Sequence, residues 1–291
     1  MKKKRFSLST CLIYIFLTFF CLACLFPLLL TVIVSFTSEA SIEKNGYSMF
    51  PEHFSLEAYK LLFQNSAVIF RAYTISIFIT VVGTTLAIFI TTMAAYTLSN
   101  NKVKYRNMIA LYFFITTLFN GGIVPWYIMN HKLGLIDNIW ALIIPTLMFS
   151  AFNMFLIRNF MDSLPNELRE SAYIDGANDM RIAIQIYLPL CLPVIATVCL
   201  FYAIAYWNDW FNSIMLITNK DLYPVQYILF QIKSNLDALK AIPQNASLSF
   251  KLPVEAMKMA VVCLTIGPIV LLYPYLQRFF IKGLIIGSVK G

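Results

Sequence analysis

Residues 170–189 read ESAYIDGANDMRIAIQIYLP, a polar segment between two strongly apolar parts of the chain. The pattern predicts two short helices. The first begins near Ser163, a residue type that caps helix N-termini, and ends at Gly176, because glycine reaches the left-handed conformation of a helix C-cap at low cost. Asn178 or Asp179 then caps the second helix, which continues into the next apolar segment.

The second of these helices has one apolar face, formed by Ile182, Ile186 and Leu190 at helical spacing. A connection between two membrane spans can be an ordinary solvated loop. A pair of helices joined by a glycine is more than such a loop requires and is typical of a docking surface. The pattern alone leaves both interpretations open.

The composition indicates a polytopic membrane protein with an all-α fold. Of the 291 residues, 59% are hydrophobic and 12% are charged, and the mean hydropathy is +0.73. Soluble domains average about 25% charged residues. The net charge of +8 would suggest nucleic acid as a partner of a soluble protein. Here membrane topology accounts for the charge, and we expect membrane lipid but no nucleic acid as a partner.

Six apolar segments are long enough to cross a bilayer and would form a single transmembrane domain, 11–280. They cover about residues 11–36, 72–98, 108–129, 139–155, 186–217 and 259–280. The first follows the basic leader 1–10 but is too long for the apolar region of a signal peptide, so we interpret it as an uncleaved span. In the second, Gly83 and its threonine neighbours offer a small face for helix packing.

The distribution of positive charge orients these spans. Six spans place the leader, residues 158–185 and the tail 281–291 on one side of the membrane and the polar loop 218–258 on the other. The first side also holds the loop between the second and third spans. Thirteen of the 22 basic residues but only five of the 14 acidic residues lie there: four basic residues in the leader, three in that loop, three in 158–185 and three near the C-terminal end. By the positive-inside rule that side is cytoplasmic. We therefore expect a multi-pass protein of the cell membrane with cytoplasmic N- and C-termini.

No motif for catalysis or metal binding stands out. Cys21 and Cys24 form a CxxC, but inside a predicted span, where buried hydrophobic cysteines are the ordinary interpretation. His53 and His131 have no cysteines or acids at ligand spacing. We assign no metal, no catalytic residue and no bound cofactor. A phosphate-binding G-x-x-x-x-G-K-[ST] loop does not occur, so any ATP that drives this protein must bind to another chain.

Polar residues inside spans are costly and tend to mark a transport pathway. The candidates are Asn120, Asn153, Tyr206, Trp207, Asn208, Asp209 and Trp210. Aromatic rings can stack on a sugar ring, while amide and carboxylate groups bond its hydroxyls. Two alternatives remain open: the aromatic residues can form an interfacial belt or pack between helices, and Asn120 can satisfy backbone groups freed by the neighbouring glycines.

The opening segment also resembles the EAA motif of ABC importer membrane subunits, with Ser171 in place of the motif's first alanine. The positions that match are Glu170, Ala172, Gly176, Ile186, Leu188 and Pro189. In that family the loop, 158–185 here, is a cytoplasmic coupling loop that docks into a groove of the ATPase subunit. The resemblance assigns this role to Glu170, Ser171, Ala172, Asp175, Gly176, Ala177, Leu188 and Pro189.

Motifs along nearly the whole chain are similar to carbohydrate permeases of the maltose-importer type, and the third span is most similar to the subgroup linked with complex-polysaccharide uptake. These motifs lie at 119–125, 133–135, 207–209, 277–283 and 287–291. The resemblance implies a type I importer that translocates an oligosaccharide by alternating access. Its partners would be a second homologous permease, two ABC ATPase subunits that bind ATP and Mg²⁺, and an extracytoplasmic solute-binding protein.

Three other functions remain possible at this point. The chain could be an ABC permease for a non-sugar solute such as an amino acid or polyamine. It could be a membrane scaffold that uses the coupling loop only to hold partners. A secondary transporter working alone would need ion-coupling acids inside its spans, and only Asp209 qualifies.

Overall fold

The computed structural model describes residues 8–145, 147–241, 253–268 and 270, and the described chain is helical. It contains no strand over those residues apart from one isolated bridge between Thr37 and Phe54. The all-α prediction is therefore confirmed. Most of the leader, the end of the sixth predicted span and the tail 281–291 lie outside the described residues.

Two compact units make up the chain. The first unit combines residues up to 66 with 231–268, and its helices are α1 (Leu8–Ser35), α2 (Glu39–Asn45), α3 (Glu57–Leu62) and residues 254–268. Within it, the Glu39 carboxylate accepts hydrogen bonds from the backbone N–H groups of Glu255 (3.0 Å) and Ala256 (3.2 Å). These N–H groups belong to the first turn of helix 254–268, where a negative charge is stabilising.

The second unit holds both candidate sites. Its helices are α4 (Ser66–Ser99), α5 (Arg106–Leu118), α6 (Ile123–Lys132), α7 (Ala151–Asp162), α8 (Glu167–Ile174), α9 (Asp179–Ile182), α10 (Leu188–Leu190), α11 (Leu192–Trp207) and α12 (Phe211–Leu216). The last helix of this part of the chain, α13 (Val225–Ala241), begins in the second unit and continues into the first from residue 231. A π-helical turn, Ala183–Tyr187, joins α9 to α10. The core of the unit includes buried side chains of α4, α7 and α11.

Gly83 shows how closely these helices approach. A Cβ atom at this position would lie 2.5 Å from the ring of Tyr206 on α11. Only a glycine of α4 leaves room for that ring, which confirms the small packing face expected around Gly83. The Tyr206 hydroxyl then donates a hydrogen bond to the carbonyl oxygen of Ile143 (2.9 Å), deep inside the unit.

Two helices are by themselves long and apolar enough to span a membrane, namely Cys11–Ser35 and Ser66–Ser99. The other candidates within the described residues are two bent pairs. Helices α5 and α6 meet at 118°, and the helix from Asp179 to Leu190 meets α11 at 83°. The third predicted span is thus two helices, because Gly122, with φ at 88°, interrupts the helical path. The Gly122 N–H donates a hydrogen bond to Asn120 Oδ1 (2.9 Å).

Two further predicted segments differ from the structure. Predicted span 139–155 holds a 3₁₀ turn, Ile139–Leu142, and an irregular stretch before α7 begins, because Pro145 has no N–H to continue a helix. The loop 218–258 contains α13, which starts directly after Pro224, a favoured helix-start residue. The Pro224 carbonyl accepts bonds from Tyr227 and Ile228 in its first turn (3.1 and 3.2 Å).

Candidate functional site

The turn between α8 and α9 is built by local sequence signals. Gly176 has φ at 79°, the left-handed conformation that glycine adopts without strain. Its N–H donates to the carbonyl of Tyr173 (3.0 Å), and the N–H of Ala177 donates to the carbonyl of Ala172 (3.0 Å). These two bonds form a Schellman motif, which ends a helix by satisfying its last carbonyls. The predicted C-cap at Gly176 is confirmed.

Of the two predicted helix starts in this segment, the second is confirmed and the first is wrong. Asn178 caps α9, since its Oδ1 accepts a hydrogen bond from the Arg181 N–H (2.9 Å). The expectation that the first helix begins near Ser163 was wrong. Ser163 instead follows the last residue of α7, and α8 begins at Glu167. Pro165 lies between them, where it interrupts helical hydrogen bonding.

The apolar face of the second helix is rotated from the predicted one. A π-helical turn contains one residue more than an α-helical turn, so positions beyond it rotate by roughly 100°. After Ile182, the next positions buried at 4% or less are Ala183, Tyr187 and Cys191, while Leu190 is exposed. The predicted face of Ile182, Ile186 and Leu190 is therefore wrong at Leu190, whereas Ile186 is half-buried and packs against the core that contains Ile182.

Most residues assigned to coupling lie at the surface. Glu170, Ser171, Asp175, Gly176 and Pro189 are exposed, Ala177 and Leu188 are half-buried, and Ala172 is buried. The exposed face of α8 and its turn also carries two large apolar side chains that sequence reasoning missed: Ile174 is 86% exposed and Met180 58% exposed. Their signal was an apolar residue on the polar face of a short helix.

Side chains of the α4–α5 connection hold the turn in place. The Tyr173 hydroxyl donates a hydrogen bond to Asp179 Oδ1, which also accepts from Asn100 Nδ2 (3.4 Å). The hydrogen bond to the carboxylate raises the pKa of Tyr173, because it stabilises the protonated phenol. The Lys102 ammonium lies 3.9 Å from the centre of the Tyr173 ring, at cation–π distance.

The second predicted group lies where α11 ends. Trp207 is the last residue of α11, and α12 begins only at Phe211, so Asn208 to Trp210 form a break in an apolar helix. Asp209 Oδ1 accepts a hydrogen bond from the Asn212 N–H (3.2 Å) and so stabilises the first turn of α12. Its Oδ2 is buried and bonds to no group among the described residues.

Three of the predicted pathway residues are packed in the interior. Tyr206 is fully buried, with its hydroxyl on Ile143. Asn153 near the start of α7 and Trp207 at the end of α11 are each 7% exposed. Asn212 also donates from its side chain to the Pro145 carbonyl (3.4 Å). Irregular backbone at membrane depth requires such internal partners. Tyr206 and Asn212 therefore satisfy carbonyls of the interrupted stretch around Pro145.

Other members of this group reach the surface. Trp210 is 40% exposed and stacks on Phe230 with ring centres 4.5 Å apart. Asn208 is exposed and accepts a hydrogen bond at Oδ1 from Gln226 Nε2 (3.0 Å). Asn120 is exposed at the break between α5 and α6. The structure thus does not bring all seven predicted residues together.

The broken apolar helices and the hinged polar turn define the class of the protein, a membrane transport subunit. No family model matches the chain. It is 36% identical over its full length, and over the full length of the relative, to the polygalacturonan/rhamnogalacturonan transport system permease protein YtcP of Bacillus subtilis (strain 168). It is 40% identical to protein LplC of the same organism, over 91% of this chain and 89% of that one.

A solved structure agrees with these relatives. The crystal structure of a bacterial ABC transporter involved in the import of the acidic polysaccharide alginate contains a chain that matches with a TM-score of 0.81. The sequence identity is 27%, and the match covers 96% of this chain and all of the other. The chain belongs to the carbohydrate permease subunits of ABC transporters, and it is a membrane-embedded transport component. The predicted family and the all-α permease fold are confirmed, and the number of six spans stays a prediction.

Proposed function

We propose that this chain is one of two permease subunits of a type I importer for oligosaccharides rich in uronic acid. Support for the sugar class comes from a relative named for polygalacturonan and rhamnogalacturonan and from a neighbour named for alginate, which is acidic. The second permease, two ABC ATPases and an extracytoplasmic binding protein would complete the assembly. ATP and Mg²⁺ would bind to the ATPases, and this chain would supply the moving pathway.

The coupling role rests on the exposed face around the α8–α9 turn. Glu170 and Asp175 provide charge, and Ile174 and Met180 provide apolar area that a solvated loop does not need. Helix-in-groove docking uses such apolar anchors with a polar rim. The turn has a helix on each side and a glycine hinge at Gly176, so it can follow the movement of the ATPases when they close. This exposed face carries the proposal.

The orientation follows from the same role. The turn must face the compartment that contains ATP, so residues 158–185 and both termini would be cytoplasmic and residues 218–258 extracytoplasmic. The excess of basic residues on that side supports this orientation.

For substrate contact we propose the surface residues at the α11–α12 break. The exposed part of Trp210 can stack on a sugar ring, and Asn208 can bond a hydroxyl. Asp209 would support this surface from below, because its Oδ1 bonds to the first turn of α12 and its Oδ2 is buried. Tyr206, Trp207 and Asn153 would act from the interior by holding this surface in shape.

Reconstitution tests the function. The importer, assembled with its ATPases and binding protein in proteoliposomes, is given oligogalacturonides, neutral galacto-oligosaccharides, an amino acid mixture or spermidine. We expect ATP-dependent uptake and stimulated ATP hydrolysis with oligogalacturonides. Uptake of only the neutral sugars would overturn the uronate assignment, and stimulation by amino acids or spermidine alone would overturn the sugar class. An assembly that hydrolyses no ATP with any solute would indicate a scaffold.

A further inference from the structure

One cation lies beneath the proposed docking face. Arg169 precedes Glu170 on α8, and only 5% of it is exposed. Burying a guanidinium is costly unless neighbouring groups stabilise its charge. Nη2 donates a hydrogen bond to Ser99 Oγ (3.2 Å), and Nη1 lies 3.5 Å from the Ser99 carbonyl oxygen at a hydrogen-bonding angle. Ser99 is the last residue of α4, so the partial negative charge of that helix end also favours the cation.

Two aromatic rings complete the surroundings of Arg169. Its guanidinium carbon lies 5.2 Å from the ring centre of Tyr96 and 4.7 Å from that of Tyr187. These rings also contact each other edge to face, 5.3 Å apart at 74°. Such cation–π contacts are strongest when they are desolvated, as they are in this buried setting.

Arg169 and its three contacts join three different elements. Arg169 is on α8, Tyr96 and Ser99 are on the last turn of α4, and Tyr187 is the last residue of the π-helical turn. Beyond that turn the chain bends by 83° into α11. The widened turn puts Tyr187, rather than Ile186, on the buried side. One side chain therefore connects the docking face to α4 and to the start of α11.

We infer that Arg169 is a positioning residue that transmits movement of the docking face to α4 and α11. This inference rests on the proposed function. Glu170 and Ile174 face outward from α8, and Arg169 anchors the opposite side of the same helical turn. Without this anchor, α8 could follow an ATPase while α4 and α11 remained in place. Hydrolysis would then continue without transport.

The amount of sugar imported per ATP hydrolysed tests this role better than the rate of import does. Arg169→Met keeps an unbranched side chain but removes the cation and its donors, and Arg169→Lys keeps a cation. The matched control is Arg158→Met, which loses an ion pair with Asp162 within α7 (3.4 Å). Each variant of the complete importer is assayed with oligogalacturonides for co-purified ATPase, ATP hydrolysis and sugar imported per ATP.

For Arg169→Met we expect normal co-purification but roughly a tenfold lower import per ATP, the scale of desolvated cation–π contacts. Arg169→Lys should recover part of that ratio, and Arg158→Met should keep all of it. An unchanged ratio in Arg169→Met, even with a lower yield, would assign the residue a purely structural role and overturn the inference. A wild-type importer that shows no sugar-stimulated hydrolysis would instead contradict the proposed function.

If Arg169→Met does not assemble, a second pair of variants tests the positioning role of Arg169. Tyr187→Phe keeps the ring face over the guanidinium, and Tyr187→Leu removes it. The inference predicts normal import per ATP for the phenylalanine variant and a lowered ratio for the leucine variant. Equal ratios in the two variants would overturn it.

Discussion

The α8–α9 turn and the α11–α12 break both interrupt a helical path, but they are stabilised in opposite ways. The turn takes its shape from its own residues, since Gly176 ends α8 and Asn178 caps α9. Asn100 and Arg169 attach the shaped turn to the end of α4. The break lies beside distant partners, since Tyr206 and Asn212 bond to the irregular stretch around Pro145. The difference indicates that the turn can move as a unit on the surface, whereas the break is fixed by the core of its unit.

A large effect is expected from a change in the packing beside the break. Gly83→Ala would put a methyl group 2.5 Å from the Tyr206 ring, so that ring must move away from Ile143. We expect a loss of about 1–3 kcal/mol in the free energy of unfolding from overpacking, plus about 1 kcal/mol for the hydrogen bond. Thermal unfolding of the purified permease in detergent measures this loss of stability.

Gly267→Ala is the matched control for this change, because no atom of the described residues lies within 4 Å of its added Cβ. If the two alanine variants unfold at the same temperature, the break does not depend on close packing between α4 and α11.

The next effect concerns the turn. Gly176→Val forces a β-branched residue to a φ of 79°, which costs on the order of 1–3 kcal/mol of local strain. We expect the chain to insert and assemble but to import less sugar per ATP. Gly46→Val is the control, because Gly46 has a similar φ of 69° and lies outside the docking face. Equal import per ATP in both variants would show that strain at the turn does not affect coupling.

Substitution of the two tryptophans distinguishes packing from substrate contact at the break. Trp207→Ala removes a buried ring and should cost about 3–5 kcal/mol of stability. Trp210→Ala, at an exposed position, should leave the unfolding temperature nearly unchanged and raise the KM for oligogalacturonide uptake. The proposed contact would be rejected if uptake by Trp210→Ala had the wild-type KM.

The smallest effect is a pH dependence. Asp137 accepts hydrogen bonds from the Thr218 side chain and from the N–H groups of Thr218 and Asn219, and these bonds lower its pKa. A carboxyl with a lowered folded-state pKa stabilises the fold above its unfolded value, near 4, and loses that contribution as the pH falls further. We expect Asp137→Asn to make unfolding less sensitive to pH between about 5 and 3.

The asparagine substitution is conservative in backbone terms, because Asp137 has φ at 56° and asparagine also tolerates that conformation. A pH profile of unfolding that is identical in the wild type and Asp137→Asn would show that these hydrogen bonds do not stabilise the carboxylate form.

The same contrast explains what the sequence could predict. Gly176 and Asn178 act through bonds to residues within five positions of themselves, so local rules placed the hinge and the second cap correctly. The burial of Tyr187 instead of Ile186 depends on a π-helical turn, for which the sequence carries no local signal. The sequence pattern gives Arg169 no role, because its partners Tyr96 and Ser99 are far away along the chain, on α4.

Crosslinking at the docking face tests the central claim most directly. A photoreactive phenylalanine analogue placed at Ile174, which is 86% exposed, should capture the ATPase subunit in intact, transport-competent importer. The matched control carries the same analogue at Phe50 of the first unit, an apolar position that is 89% exposed and lies outside the docking face. The account predicts an ATPase adduct from position 174 and none from position 50. No ATPase adduct from position 174, or capture of the binding protein there, would contradict it.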